Sequence, residues 1–142
     1  MSGLYGSHYV FPTTTAITRA WKLAEGSARE HEKLRRHALK LANFPDCGDW
    51  DWIAALPRQR IGELRIDEPI AGKRNVRVIF FKANAVLDGD PQCAETGSTM
   101  PRIWTITTFD KKSNDFSMGQ IRAFAAAKKL IVFRYYGGNA AA

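Results

Sequence analysis

Four basic side chains, Arg65, Arg77, Lys111 and Lys112, have the types and spacing to act on one anion. An arginine's planar fork donates two parallel hydrogen bonds and stays charged, which suits it to holding a phosphate. A lysine adds a point charge and, where desolvated, shifts towards general acid or base work. Groups of this kind can hold a phosphate in line and neutralise charge that builds on its oxygens. Lys73, Arg74, Arg102, Arg134 and Tyr135 form a second tier, suited to contacting a nucleic-acid strand. From Arg102 to Arg134 there are seven Lys/Arg against two acids, a local net of +5.

Each of these residues also has a structural reading. Arg65 lies between Glu63 and Asp67, the pattern of an ion pair on a solvated strand face. Lys111 and Lys112 fit the polar end of a strand. Arg77 stands alone in an apolar run and must reach either a carboxylate such as Glu63 or an open cleft, because burying it unpaired is costly. Arg122, Lys128 and Lys129 read as a solvated helix face. Tyr135 and Tyr136 read as packing residues, or as groups for stacking or proton transfer. His31 and His37 read as surface residues of a helix.

The elements that must position these groups follow from periodicity. Residues 4–11, rich in aromatic and β-branched types, suit a short strand. Thr13 to Thr15 can cap a helix whose Ile17, Trp21 and Ala24 share a face, and Gly26 stops it. Ser27-x-x-Glu30 is a capping box opening a second helix, with Leu34, Ala38 and Leu41 on its buried side. The two helices make an αα-hairpin. Residues 43–60 read as a connection broken by Pro45, Gly48 and Pro57, with Trp50, Trp52, Ile53 and Leu56 tucked onto the core.

The period then changes to 2. Leu64 and Ile66 point one way, and Glu63, Arg65 and Asp67 the other. Lys73 to Asn75 is expected to form a turn. Residues 76–83 form a strand apolar on both faces, residues 87–101 a mobile loop, and residues 102–110 a third strand. Ser117-x-x-Gln120 opens a last helix through about Lys129. The run 130–136, LIVFRYY, either extends that helix or turns into a strand, which its composition favours. The order argues for a single α+β domain over 1–142, with a mainly antiparallel sheet and segregated helices.

With 142 residues, 45% of them hydrophobic, the chain can bury one substantial core. Its formal charge of +7 and pI near 9.7 favour an anionic partner. No apolar run reaches transmembrane length, and the first residues do not read as a secretory signal. Cys47 and Cys93 are therefore read as reduced cytoplasmic thiols. No ligand-spaced Cys/His pair suggests a metal.

Three short segments, in this order and spacing, resemble the RelE/ParE toxin superfamily, within it the HigB-like, phage-derived branch. Gly62-Glu63-Leu64-Arg65 resembles its ELR strand, and Val76-Arg77-Val78-Ile79-Phe80-Phe81 its yRvly strand. Phe109-Asp110-Lys111-Lys112 with the following capped helix resembles its F-x-KK segment. The resemblance covers roughly 27–130. It implies a RelE-like fold and a toxin restrained by a cognate antitoxin. It also implies cofactor-free and metal-independent cleavage of translated mRNA at the ribosome, with the substrate's own 2′-OH as nucleophile. Arg65, Arg77, Lys111 and Lys112 would then be catalytic. A ParE-like inhibitor of DNA gyrase and a non-catalytic adaptor are the competing readings. Two departures stand out: residues 84–102 exceed the family's tight hairpin, and no late histidine is present, all three lying before residue 40.

Overall fold

The computed structural model describes residues 6–138. A strand, β1 (Tyr9–Pro12), leads into the helices α1 (Thr14–Leu23) and α2 (Ala28–Ala38), with a 3-10 turn at Leu39–Asn43. The strands β2 (Trp50–Trp52), β3 (Ile61–Arg65), β4 (Val76–Lys82) and β5 (Arg102–Asp110) follow, and a long helix, α3 (Met118–Tyr136), ends the fold. The sheet has the order β1-β5-β4-β3-β2, with β1 parallel to β5 and every other pair antiparallel. The chain is thus α+β with a mixed, mainly antiparallel sheet. Part of the expected first strand, residues 4 and 5, lies outside the described residues.

Both sheet faces are covered. Val76, Val78 and Phe80 of β4 pack with Leu64, Leu34, Leu41 and Phe44 on the side of the αα-hairpin. Ile79 and Phe81 pack with Ile61, Trp104 and Ile106 under Ile121, Phe124, Ile131, Val132 and Tyr136 of α3. The helices therefore lie on both faces rather than segregating to one. The indole N–H of Trp104 donates to the hydroxyl of Tyr136 at 3.0 Å, pinning the end of α3 to β5. Burial of Tyr136 pushes its phenol above the usual range.

Several local expectations are corrected. Residues 130–136 continue α3 instead of forming a strand, because the buried positions 121, 124, 128, 131, 132 and 136 keep helical spacing and outweigh β propensity. Residues 50–52 form an edge strand paired with Gly62 to Leu64. The tight turn is Ala71-Gly72, both at positive φ, closed by hydrogen bonds between Ile70 and Lys73. Residues 87–101 hold a hairpin in which Gln92 bridges Thr99. Of the expected face Ala24, the C-cap of α1, is buried, but Ile17 and Trp21 are 44% and 40% exposed, and α1 buries Ala16 instead. Ser27 caps α2, but the Glu30 carboxylate turns away to accept from the Ala71 N–H and Lys33.

One irregularity decides which side chains share a face. Ile79 pairs with Thr107, but Phe80 pairs with Thr105, so Ile106 is an extra residue in β5. A bulge of this kind shifts the alternation by one residue. Beyond it, Phe109 joins the α3 side of the sheet.

Gly62 pairs with Phe80, and a Cβ there would meet the Phe80 ring at 2.4 Å. That ring is fully buried against Phe44 and Trp50 and has no room to give. Gly62→Ala should cost about 1–3 kcal/mol in urea unfolding. An unchanged midpoint would show that the ring can move.

Candidate anion-binding site

Arg65 and Arg77 are direct partners across β3 and β4, and Arg77 in turn faces Phe109 of β5. Two like charges side by side repel. Each is relieved by a separate carboxylate. Arg65 reaches Asp51 at 2.7 Å, an exposed contact that raises the pKa of its guanidinium. Arg77 donates from Nε to Oε2 of Glu63 at 3.1 Å, and Lys111 donates from Nζ to the same oxygen at 3.0 Å. These three side chains are only 14–16% exposed. Lys111 also lies 4.3 Å from the centre of the Phe116 ring, and its backbone N–H binds the carbonyl of Asn75.

Lys112 does not join this cluster. It is 84% exposed and paired with Asp110 at 2.7 Å. Simple alternation from Trp104 and Ile106 would put residue 112 on the α3 side. The bulge at Ile106 moves that place to Lys111, which explains the exchange.

Two depressions meet at Arg77. The larger, about 370 Å³, is lined by Arg65, Arg74, Asn75 and Arg77 together with Asp49, Asp67 and Glu68. The smaller, about 150 Å³, is lined by Asn75, Arg77, Lys111, Lys112, Ser113 and Asn114. No carboxylate lines the smaller one, and its cations and amide N–H groups can donate to a single anionic group, whereas the Ser113 hydroxyl already donates to the Asp115 carbonyl at 2.6 Å. Asn75, Ser113 and Asn114 carried no signal in the sequence beyond their turn-forming character.

A carboxylate–imidazole pair borders the larger depression. His37 is buried, with Nε2 at 2.5 Å from Oε2 of Glu68, and Arg36 reaches the same oxygen at 3.2 Å. The contact with His37 holds the Glu68 carboxyl below its usual range. The expectation of a surface His37 is corrected. It lies on the inner side of α2, where Glu68 supplies its partner. His31 is instead stacked on Trp21, ring centres 3.8 Å apart.

The remaining sequence candidates lie apart. Lys73 donates to the Leu23 carbonyl and to Glu25, tying the end of α1 to the β3–β4 connection. Arg102 begins β5, eight residues and about 26 Å from Asp110. It is paired with Asp90 at 2.8 Å and stacked over Phe11 and Trp104. Tyr135, 45% exposed, leans on Trp104 at the same end, beside the exposed Arg134. Lys128 is buried rather than solvated. Among the described residues, no group of three or more His, Cys, Asp or Glu is placed to hold a metal ion, and no helix is long and apolar enough to cross a membrane.

No protein-family model matches this chain, and no match is found among curated proteins or solved structures.

Glu63 balances two largely covered cations, so its loss leaves both unpaired. Glu63→Gln should lower stability by about 1–3 kcal/mol in urea unfolding at neutral pH. Adding Lys111→Met should recover part of that loss, since one unbalanced cation is then removed. No recovery would mean that Glu63 serves Arg77 alone.

Proposed function

We propose that this chain is a toxin of the RelE/ParE superfamily, HigB-like branch, that cleaves mRNA on translating ribosomes. The observation that carries the reading is the 150 Å³ depression lined by Arg77, Lys111 and Lys112 with no carboxylate in its wall, while Glu63 and Asp110 pair with these cations. Its size and chemistry suit one phosphate group. The three segments that carry the resemblance supply its parts: Arg77 comes from the yRvly strand, Lys111 and Lys112 from F-x-KK, and the Glu63 counter-charge from ELR. The strand–αα-hairpin–strands–helix order agrees with the coarse architecture that the resemblance implies.

In this mechanism the ribose 2′-OH attacks the adjacent phosphorus and the bond to the 5′ oxygen breaks. The products are a 2′,3′-cyclic phosphate and a free 5′-OH. The 2′-OH loses a proton and the leaving oxygen gains one, so no metal is required. Arg77 and Lys111, held by Glu63, take the non-bridging oxygens, and Lys112 closes from the exposed side. Of the carboxylates that line the adjoining depression, Asp49, Asp67 and Glu68, this reading assigns Glu68, which is backed by His37, to accept the 2′-OH proton. Its lowered pKa keeps it ionised, at the cost of basicity.

A cognate antitoxin is the partner. Its landing surface is the outer face of α3, where Ala123, Ala126, Leu130 and Phe133 form an exposed stripe at helical spacing. Leu130 is 60% and Phe133 74% exposed. An exposed apolar stripe rimmed by polar residues marks an interaction surface. No acidic residue occurs in α3, whereas Arg122, Lys129 and Arg134 flank the stripe, so an acidic partner fits. The reading places the chain in the cytoplasm.

One observation favours the gyrase-inhibitor alternative. Arg65, Arg77, Lys111 and Lys112 each already have a carboxylate, as purely structural cations would. Inducing the chain in bacteria and mapping mRNA 5′ ends separates the two. Cleavage inside translated frames supports the toxin reading. Intact mRNA with broken chromosomal DNA overturns it in favour of gyrase.

Lys112 is the cleanest probe, because its exposed side chain adds little to the fold. Lys112→Ala should change stability by less than about 0.5 kcal/mol. It should slow cleavage by about tenfold to a hundredfold. Full activity would remove Lys112 from the phosphate site.

A further inference from the structure

A second cationic cleft lies near the opposite end of the same sheet face. It spans about 320 Å³ between the segment that leads into β3 and the middle of α3, lined by Arg58, Gln59, Ala125, Ala126, Lys128, Lys129 and Val132. The Ile61–Phe81 pair at this end is four residues along the strands from Arg65–Arg77, or about 13 Å.

Its chemistry differs from that of the first site. No carboxylate lines it. Among the described residues, Arg58, Arg60, Lys128 and Lys129 take part in no ion pair found in the structure. Lys128 is only 8% exposed. Its ammonium donates to the carbonyl of Gln59 and lies 5.2 Å from the centre of the Phe81 ring. One carbonyl uses one of its three N–H donors. Desolvation and the neighbouring Arg60 hold its pKa below the usual lysine range. Arg60 itself adopts φ 51°, an unfavourable region for a residue with a side chain, and its guanidinium stacks 4.7 Å from the centre of the Trp52 ring. Strain of this kind persists where the surroundings hold it, often at binding sites.

The floor of the cleft is apolar: Ala125, Ala126 and Val132. A ligand that satisfies both parts carries a phosphate for the cations and a flat, weakly polar body for the floor. We propose that this cleft binds a nucleotide through its phosphate, with Arg58, Lys128 and Lys129 as the phosphate ligands and the base laid on the α3 floor. The nucleotide is either free or part of an RNA strand, since both present the same group. The inference stands apart from the cleavage site, because none of the cleft residues lines the Arg77 site, although Ala126 and Lys129 also belong to the proposed antitoxin surface.

The test titrates inorganic phosphate, AMP and a single-stranded RNA octamer into the full chain, followed by calorimetry and by amide and methyl NMR shifts. AMP should shift Ala125, Ala126 and Val132 and bind more tightly than inorganic phosphate. Replacing the two exposed cations, Arg58→Ala with Lys129→Ala, should weaken AMP by about tenfold or more without changing the melting temperature. AMP bound at the Arg77 site would not shift Ala125, Ala126 and Val132, so the affinity of this cleft is read from those three shifts alone, which separates it from the cleavage site. Tighter binding of the octamer than of AMP, lost in the same double variant, assigns the cleft to an RNA strand. The reverse order assigns it to a free nucleotide. No shift at the three floor residues, or AMP no tighter than inorganic phosphate, or full AMP affinity in the double variant, overturns the proposal. Lys128→Met provides a second check: if it stays folded, it too should lose AMP.

Discussion

The fold turns on β4, a central strand with apolar residues on both faces and one arginine among them. Val76, Val78 and Phe80 demand a cover on one side, and Ile79 and Phe81 on the other. The αα-hairpin and α3 supply the two covers. Arg77 is the exception to the strand's pattern, and a guanidinium at 16% exposure needs a counter-charge. Glu63, one strand over on the same face, supplies it. Because the same carboxylate also takes Lys111, the ends of three strands are tied at one oxygen.

That tie explains why the candidate site sits where it does. α3 packs over Ile61, Phe81, Trp104 and Ile106 and leaves the Arg65–Arg77 end of its face uncovered. The basic side chains there are held in place by neighbouring acids. The chain's positive excess falls elsewhere, on α3 and on the segment before β3, where no acid opposes it. A basic composition is thus resolved into a neutralised, positioned cluster and an unopposed one.

Much of this was legible in the sequence. The change of period near residue 61, the caps at Ser27 and Ser117 and the Arg77 dilemma all follow from local patterns. Glu63 was one of the two outcomes open to Arg77 there, an open cleft being the other, and the structure shows the carboxylate. The features that escaped depend on long-range contacts. The bulge at Ile106 leaves no mark in the chain, yet it exchanges Lys111 for Lys112. The Trp50–Trp52 strand is too short to show a period. Residues 130–136 have strand-like composition, but the core that α3 must cover keeps them helical. His37 and Lys128 look like surface residues on their own helices, and only tertiary packing supplies the partners that bury them.

The central claim is that the Arg77 depression holds a scissile phosphate which the substrate's own 2′-OH attacks. It is tested most directly by adding the purified chain to a translating ribosome extract that carries an mRNA of defined sequence. Once the cleaved bond is mapped, the same mRNA is made with a single 2′-deoxy nucleotide on its 5′ side. The account predicts a 2′,3′-cyclic phosphate and a 5′-OH at the cut in the all-ribose mRNA, and no cut at the deoxy position. Cleavage of the deoxy-substituted bond would contradict it.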